Sequence, residues 1–207
     1  MECPAAFRFD ALADQHALMA ATGLATFITH GDDGLLATPL PLLLAAEEGP
    51  FGTLYGHVAR NNRQARIAPG TGALAVFMGP DAYVTPSWYP SKAEHGQAVP
   101  TWNYVTVQAW GTPEFFDDPD RLRAVVSGLT DRHEQGRATP WSVDDAPAPF
   151  LTAMLKGIIG VRMPLTRIEG KRKMSQNRPA PDRAGVAAGL RQDGRPDVAA
   201  LVRAAAS

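Results

Sequence analysis

Residues 24–58 read LATFITHGDDGLLATPLPLLLAAEEGPFGTLYGHV, and the punctuation of this stretch decides the fold class. Residues 24–29 form a β-branched and aromatic run, Gly31-Asp32-Asp33-Gly34 is a turn, and residues 35–44 resume as a second apolar run, the pattern of a β-hairpin. Pro39 and Pro41 fall in the second run, and because proline has no N–H to give a ladder, that strand is an edge, bulged or broken there. A second turn, Glu47-Glu48-Gly49-Pro50, leads into residues 51–58, where Phe51, Thr53, Tyr55 and His57 alternate with Gly52, Leu54, Gly56 and Val58. Two glycines in one strand predict close approach of another group to its backbone. Turns this short join antiparallel neighbours, since a parallel pair needs a long crossover.

The same reading extends outward. Asp10 before residues 11–21 is an N-cap and a short amphipathic helix, with Leu12, Leu18 and Met19 on one face and Gly23 ending it. Residues 59–68 have short helical character, residues 73–78 suit a buried strand, and Gly79-Pro80-Asp81 reads as a turn into residues 83–86. Residues 87–100, rich in Pro, Gly, Ser, Lys and His, form a long loop of the kind that covers a site. Residues 101–116 are the most strand-like, and Asp118 before Pro119 caps a helix over 121–133 that buries Leu122, Val125, Val126 and Leu129. A proline-rich connection carrying Trp141 leads to a second helix near 149–156. Residues 158–169 are a strand, with 171–176 as its extension or a hairpin partner. Beyond Pro179 the chain is Ala-rich and helical, interrupted at Gly189 and at Gly194 to Pro196.

Strands outnumber helices and tight turns join them, so the expected class is mainly β with α: a largely antiparallel small barrel with peripheral helices. The expected division is a barrel domain over 1–178 and a C-terminal helical extension over 179–207.

Composition narrows the function. The 207 residues are 45% hydrophobic and 20% charged, enough apolar surface to offset the entropy of ordering one domain. Twenty basic residues against twenty-one acidic ones leave a net charge of −1, which supplies no global drive toward nucleic acid or an anionic membrane. Cys3 is the only cysteine, so an intrachain disulfide and a thiolate metal site are excluded, which fits a reducing cytoplasm. The apolar run at 39–46 is far too short to span a bilayer, and residues 1–10 lack a leader pattern, so no membrane partner is expected. The five histidines lack metal-ligand spacing, no hydrolase or P-loop motif occurs, and no helix-turn-helix is visible. No metal is expected, and no residue is assigned a catalytic role.

Three clusters carry chemistry. YGHVARNN at 55–62 joins a glycine-containing strand to a helix start, so backbone N–H groups, Arg60, Asn61 and Asn62 can converge on an anion such as phosphate; a solvated strand end with a polar cap is the other reading. Between Tyr83 and Tyr104 fall two of the four tryptophans and three of the four tyrosines, beside hydroxyls and an amide. Such walls stack a flat heterocycle, or equally fill a barrel end or a subunit interface. Residues 167–178 carry five basic residues interleaved with small polar ones, placing Lys171, Lys173 and Ser175 on one strand face and Arg172, Met174 and Gln176 on the other. That face meets a phosphorylated ligand or is simply a solvated strand end.

These words together resemble the FMN-binding negative transcriptional regulator family of the PaiB type. The resemblance rests on YGHVARNN at 55–62, GPDAYVTPSWYPSKAEHGQAVPTWNY at 79–104, WSVDDAP at 141–147 and IEGKRKMSQNRPAPDR at 168–183, and covers nearly the whole chain. It implies a split β-barrel that binds FMN, similar to pyridoxamine-phosphate oxidases and flavin reductases, as a homodimer with flavin sites at the subunit interface. Carried over residue by residue, it implies phosphate contacts from His57, Arg60 and Asn61, and Ser87, Trp88 and Tyr89 near the flavin. Thr101, Trp102 and Asn103 lie opposite, and Lys173, Ser175, Gln176 and Asn177 come from the C-terminal word. Arg60, Asn61 and Lys173 are the foremost phosphate candidates, because a dianion is best held by charge-assisted donors. One departure is Arg172, where the family more commonly has an aromatic residue. The family name further implies transcriptional repression of protease and sporulation genes, although DNA has no docking motif here. The alternative is an FMN-dependent oxidoreductase or oxidase acting on a small substrate, with His57, His95 and Tyr89 as its acid–base candidates.

Overall fold

The computed structural model describes residues 1–32 and 34–205, so Asp33 of the expected turn lies outside the described residues. The chain forms two compact units, one from Met1–Gln15, Met78–Val107 and Glu169–Ser207, the other from His16–Phe77 and Gln108–Ile168.

The second unit contains the predicted hairpin. Strands β1 (Ala25–Gly31) and β2 (Gly34–Leu40) pair antiparallel, with Ala25 opposite Leu40 and Gly31 opposite Gly34. The second apolar run does break: β2 stops before Pro41, and after Leu42 a new strand, β3 (Leu43–Ala45), pairs with β4 (Thr53–Ala59). With β5 (Ala73–Val84), β6 (Thr101–Gly111), β7 (Glu114–Phe116) and β8 (Ile158–Lys173), the sheet order is β2-β1-β5-β6-β8-β4-β3, and β7 pairs with β8 off this path. The two ends of that order, β2 and β3, are thus neighbours in sequence separated by only Pro41-Leu42. Both prolines sit where no ladder bond is lost: Pro39 on an edge strand and Pro41 in the break.

What approaches the backbone of β4 is this same break. A Cβ at Gly56 would lie 2.9 Å from the Pro41 carbonyl oxygen and 2.8 Å from a Leu42 methyl, and Gly52, at φ +87°, faces Leu44 and the Ala45 carbonyl. The two glycines therefore serve packing of the chain against itself.

Helix α1 (Leu12–Ala21) buries Gln15 and Met19 and leaves Leu12 exposed, correcting the expected face. Position 15 lies four residues before Met19, so the two share a stripe, and Gln15 is accommodated there because its Nε2 donates to the Phe9 carbonyl at 2.7 Å. Helix α2 (Ser91–His95) and a 3-10 turn over Pro86–Trp88 structure part of the expected long loop. Helix α3 (Pro119–Glu134) starts as expected: Asp118 accepts the Arg121 N–H at 2.9 Å, with proline in the first turn. Its Leu122, Val125 and Leu129 join Phe116, Val143 and, from α4 (Ala148–Leu155), Leu151 and Leu155 in one buried cluster. Each such side chain contributes about 1.5–3 kcal/mol on leaving water.

Of three further expectations two change, and a third, left between two alternatives, resolves to one of them. Gly79-Pro80-Asp81 is no turn: all three residues lie within β5, which runs on through them to Val84. Residues 171–173 extend β8 rather than forming a hairpin partner, and the alternation of faces stops at Ser175, whose φ is +62°. Gly189 does not interrupt the tail; it lies inside α5 (Ala180–Gln192), and the break before α6 (Pro196–Ala204) comes at Gly194, where φ is +73°.

Candidate functional site

Ten of the thirteen expected site residues lie in the first unit and three in the second.

In the first unit, β6 opens with Thr101 half-buried, Trp102 exposed and Asn103 buried, the two-residue period of a strand. The end of β8 meets it: Lys173 Nζ donates to Thr101 Oγ1 at 2.5 Å. Beyond β8 the chain is pinned from both sides. Gln176 accepts the Met174 N–H and donates to the Arg172 carbonyl, each at 2.6 Å. Asn103 Nδ2 donates to Ser175 Oγ at 3.0 Å, and that hydroxyl donates back to Asn103 Oδ1 at 3.2 Å. These bonds hold Ser175 in a left-handed conformation that a residue with a Cβ disfavours. Asn177 follows, exposed.

The aromatic segment is held by the same unit. Thr85 accepts the Ser87 N–H at 3.3 Å and so starts the 3-10 turn, leaving Ser87 exposed. Tyr89 is buried beneath the Arg178 guanidinium, 4.6 Å from its ring centroid, and among the described residues its hydroxyl meets no hydrogen-bond partner of good geometry. Burial pushes this phenol up, and the Arg178 charge opposes the shift. Trp88 lies against Gly185 and Gly189 of α5. Trp102 meets the exposed Tyr83 edge to face, ring centroids 6.2 Å apart.

Charge is the strongest feature here. Among the described residues, none of Lys171, Arg172, Lys173, Arg178 and Arg183 forms an ion pair with a carboxylate. Burial, followed by the charges of Lys171 and Arg178, holds the Lys173 ammonium below the ordinary lysine range. Arg172 stacks on Phe9 at 4.1 Å, so the position that departs from the family pattern still has a packing role, and its Nε is buried without a partner among the described residues, as is that of Arg183. Lys171, Lys173 and Arg178, whose charges act on one another beside the buried Tyr89 phenol, are a donor set that an anionic, partly aromatic molecule satisfies.

The second unit holds His57, Arg60 and Asn61. Arg60 is committed locally: its Nε donates to the Lys156 carbonyl at 2.5 Å, Nη2 to the Ile158 carbonyl at 3.3 Å, and Nη1 lies 3.5 Å from Asp117. His57 shares a strand face with Tyr55, has no partner for Nδ1 among the described residues, and is held below the ordinary histidine value by burial. Asn61 is exposed, while Asn62 caps the next turn by accepting the Gln64 N–H at 2.9 Å and donates to Thr38 at 3.2 Å. The side chain of His95 lies outside what the structure describes.

Sequence reading missed Arg178, although the word SQNR contained it, and Asp182. Asp182 is buried and accepts from Ser91 twice, from N at 3.1 Å and from Oγ at 2.7 Å. It also missed Gly185 and Gly189, whose four-residue spacing marks a flat stripe on one helix face. Among the described residues no group of three or more His, Cys, Asp or Glu stands where it would hold a metal, and no helix is long and apolar enough to cross a membrane.

Comparison with known proteins places this geometry. The family described as "Putative FMN-binding domain" matches residues 1–167. The protease synthase and sporulation protein PAI 2 of Bacillus subtilis is 30% identical over 173 residues, 83% of this chain and 80% of the relative. Among solved structures, the conserved hypothetical protein Rv2991 from Mycobacterium tuberculosis superposes with a TM-score of 0.60 at 15% identity, covering 86% of this chain and 94% of that one. The FAD and heme binding protein from Mycobacterium smegmatis does so with 0.57 at 18% identity, covering 88% and 80%. These likenesses show the fold, the mainly antiparallel split β-barrel class expected from the sequence.

Proposed function

Because the chain belongs to the FMN-binding domain family, we propose that its flavin is held by the cluster of the first unit, with Lys173, Thr101 and Arg178 at the phosphate and Tyr83, Trp102 and Tyr89 as the aromatic surroundings. The observation that carries this reading is the set of cations without carboxylate partners around Lys173. A phosphate there would offset the burial and, after it, the like charges of Lys171 and Arg178 that together depress Lys173. Ser87 and Asn177 add exposed polar groups, and the Asn103–Ser175 and Gln176 bonds fix the backbone from which Lys173 projects. When bound, flavin supplies one- and two-electron redox chemistry. The protein supplies charge, orientation and an aromatic environment.

Purified protein is expected to carry flavin absorbance or to take up added FMN with quenching of its fluorescence, and Lys173→Ala to weaken that uptake. Wild-type protein that neither copurifies with FMN nor binds it overturns the reading. Arg60→Ala in the same titration measures any contribution from the second unit.

The functional form we propose is a homodimer with flavin sites at the subunit interface, in the cytoplasm. Support comes from the exposed Met78, Tyr83 and Trp102 of the first unit, the two rings in contact with each other, and from Cys3 as the only, free thiol. Sedimentation at the concentration that binds FMN is expected to give twice the chain mass; a monomer there removes this part.

A regulatory role is the second reading, favoured by the sporulation-protein relative. It requires duplex binding that discriminates between sequences as salt rises, because attraction to the cation cluster alone would fade uniformly. An oxidoreductase instead requires anaerobic reduction of the bound flavin by NADH or NADPH, or turnover of an oxidisable substrate with oxygen.

A further inference from the structure

The segment carrying Ser87, Trp88 and Tyr89 is held from one side by α5 and the residues leading into it. Its contacts are of three kinds. Ser91 donates to the buried Asp182 carboxylate through both N and Oγ, at 3.1 and 2.7 Å. The Trp88 carbonyl sits where a Cβ of Gly185 would be, and the Trp88 indole where a Cβ of Gly189 would be. Arg178 covers the Tyr89 ring, and Arg183, in the first turns of α5, donates to the Arg178 carbonyl at 2.8 Å. Only glycine fits at 185, because the group it meets is backbone and cannot move aside. All of these anchors lie past residue 167, where the match to the FMN-binding family ends.

We propose that α5 is the positioning element of the cofactor segment: Asp182, Gly185 and Gly189 hold residues 86–91 in the conformation that receives FMN. The proposal rests on the flavin reading above. Without Asp182, the Ser91 N–H and hydroxyl lose a charged acceptor; without the glycine pair, the Trp88 backbone has no seat. Residues 86–91 then sample other conformations, and FMN must select the competent one, which lowers apparent affinity by the fraction populated. Linkage makes the effect reciprocal, so FMN bound to the segment must also tighten α5.

The test uses the full chain, with FMN titration and hydrogen exchange on wild type, Asp182→Asn, Ser91→Ala and their double variant. Asp182→Asn is expected to weaken FMN about tenfold, the size of one charge-assisted hydrogen bond, and to speed exchange across 86–91. Ser91→Ala is expected to weaken it less, and the double variant to match Asp182→Asn, since both remove one link. In wild type, FMN is expected to slow exchange within α5. Should Asp182→Asn fail to fold, Ser91→Ala alone carries the measurement, because it deletes one hydroxyl and leaves α5 intact. If wild type binds FMN and each variant that folds stays within twofold with unchanged exchange at 86–91, the clamp is overturned and the flavin reading stands. If wild type binds no FMN, the flavin reading falls and the clamp's role with it.

Discussion

Asn103 and Ser175, 72 residues apart in sequence, hold each other by a reciprocal pair of hydrogen bonds, and Ser175 is thereby kept at φ +62° two residues past Lys173, where its strand ends. Both side chains are buried, so neither can turn to water for a substitute. Asn103→Ala is expected to lower the unfolding free energy by about 1–3 kcal/mol, the cost of leaving a buried hydroxyl without its partner. Ser175→Ala loses the same bonds and keeps the disfavoured backbone, whereas Ser175→Gly loses the bonds but relieves the backbone by about 1–2 kcal/mol, against a smaller entropy cost. Urea titration should therefore rank Ser175→Gly above Ser175→Ala in stability; the reverse order would mean that the backbone there is unstrained.

Lys173 predicts a pH dependence of binding. Its folded pKa lies below the unfolded value of 10.5, so the unfolded chain binds more protons as pH approaches that value. The penalty of charging Lys173 is fully present at neutral pH and lifts as pH rises from the lowered folded value through 10.5. A phosphate dianion beside the ammonium reverses the shift, so FMN binding should take up a proton on the alkaline side of neutrality and weaken as pH rises there. Calorimetry in two buffers of different ionisation enthalpy reads that proton directly. Lys173→Met should stabilise the FMN-free protein while weakening FMN, and uptake of the same proton by this variant would assign it to another group.

Gly56 tests how the sheet's two terminal strands are accommodated. A Leu42 methyl can swing away from an added Cβ, but the Pro41 carbonyl oxygen at 2.9 Å is backbone and cannot move without disturbing the β2–β3 break. Gly56→Ala is expected to cost about 1–3 kcal/mol in urea unfolding, the usual size of overpacking. A variant as stable as wild type would show that the break yields easily.

The hairpin, the capped α3 and the proline break were legible because each depends on neighbours in sequence: a turn, an N-cap, a missing N–H. Gly79-Pro80-Asp81 misled for the converse reason. Local chemistry favours a turn, but β5 is long and its neighbours in the sheet determine the path. In the site, the basic word and the aromatic word were visible, and the structure joins them through Lys173–Thr101 and Asn103–Ser175. Asp182 was invisible because its partner Ser91 lies 91 residues away, and a single acidic residue in a helical tail reads as solvated. Gly189 was visible but misread, since a helix tolerates glycine where an indole needs the space.

His57 separates a role in stability from one in binding. Burial holds its folded pKa below the ordinary 6.5, so the unfolded chain protonates first as pH falls. The contribution of neutral His57 is present above that value and is lost between it and the lower folded pKa. Glu48 and Glu114, held down by their bonds to Tyr55, Arg162 and Arg121, act only below the ordinary carboxylate value of 4.5 and leave this window clear. Urea midpoints of wild type should therefore decline as pH is lowered through 6.5, and His57→Gln, which cannot charge, should decline less. Parallel curves for the two proteins would assign the decline to a group other than His57. If His57→Gln flattens the curve yet binds FMN as wild type does, the residue serves the strand; if affinity falls at pH 7, where wild-type His57 is already neutral, it touches the ligand.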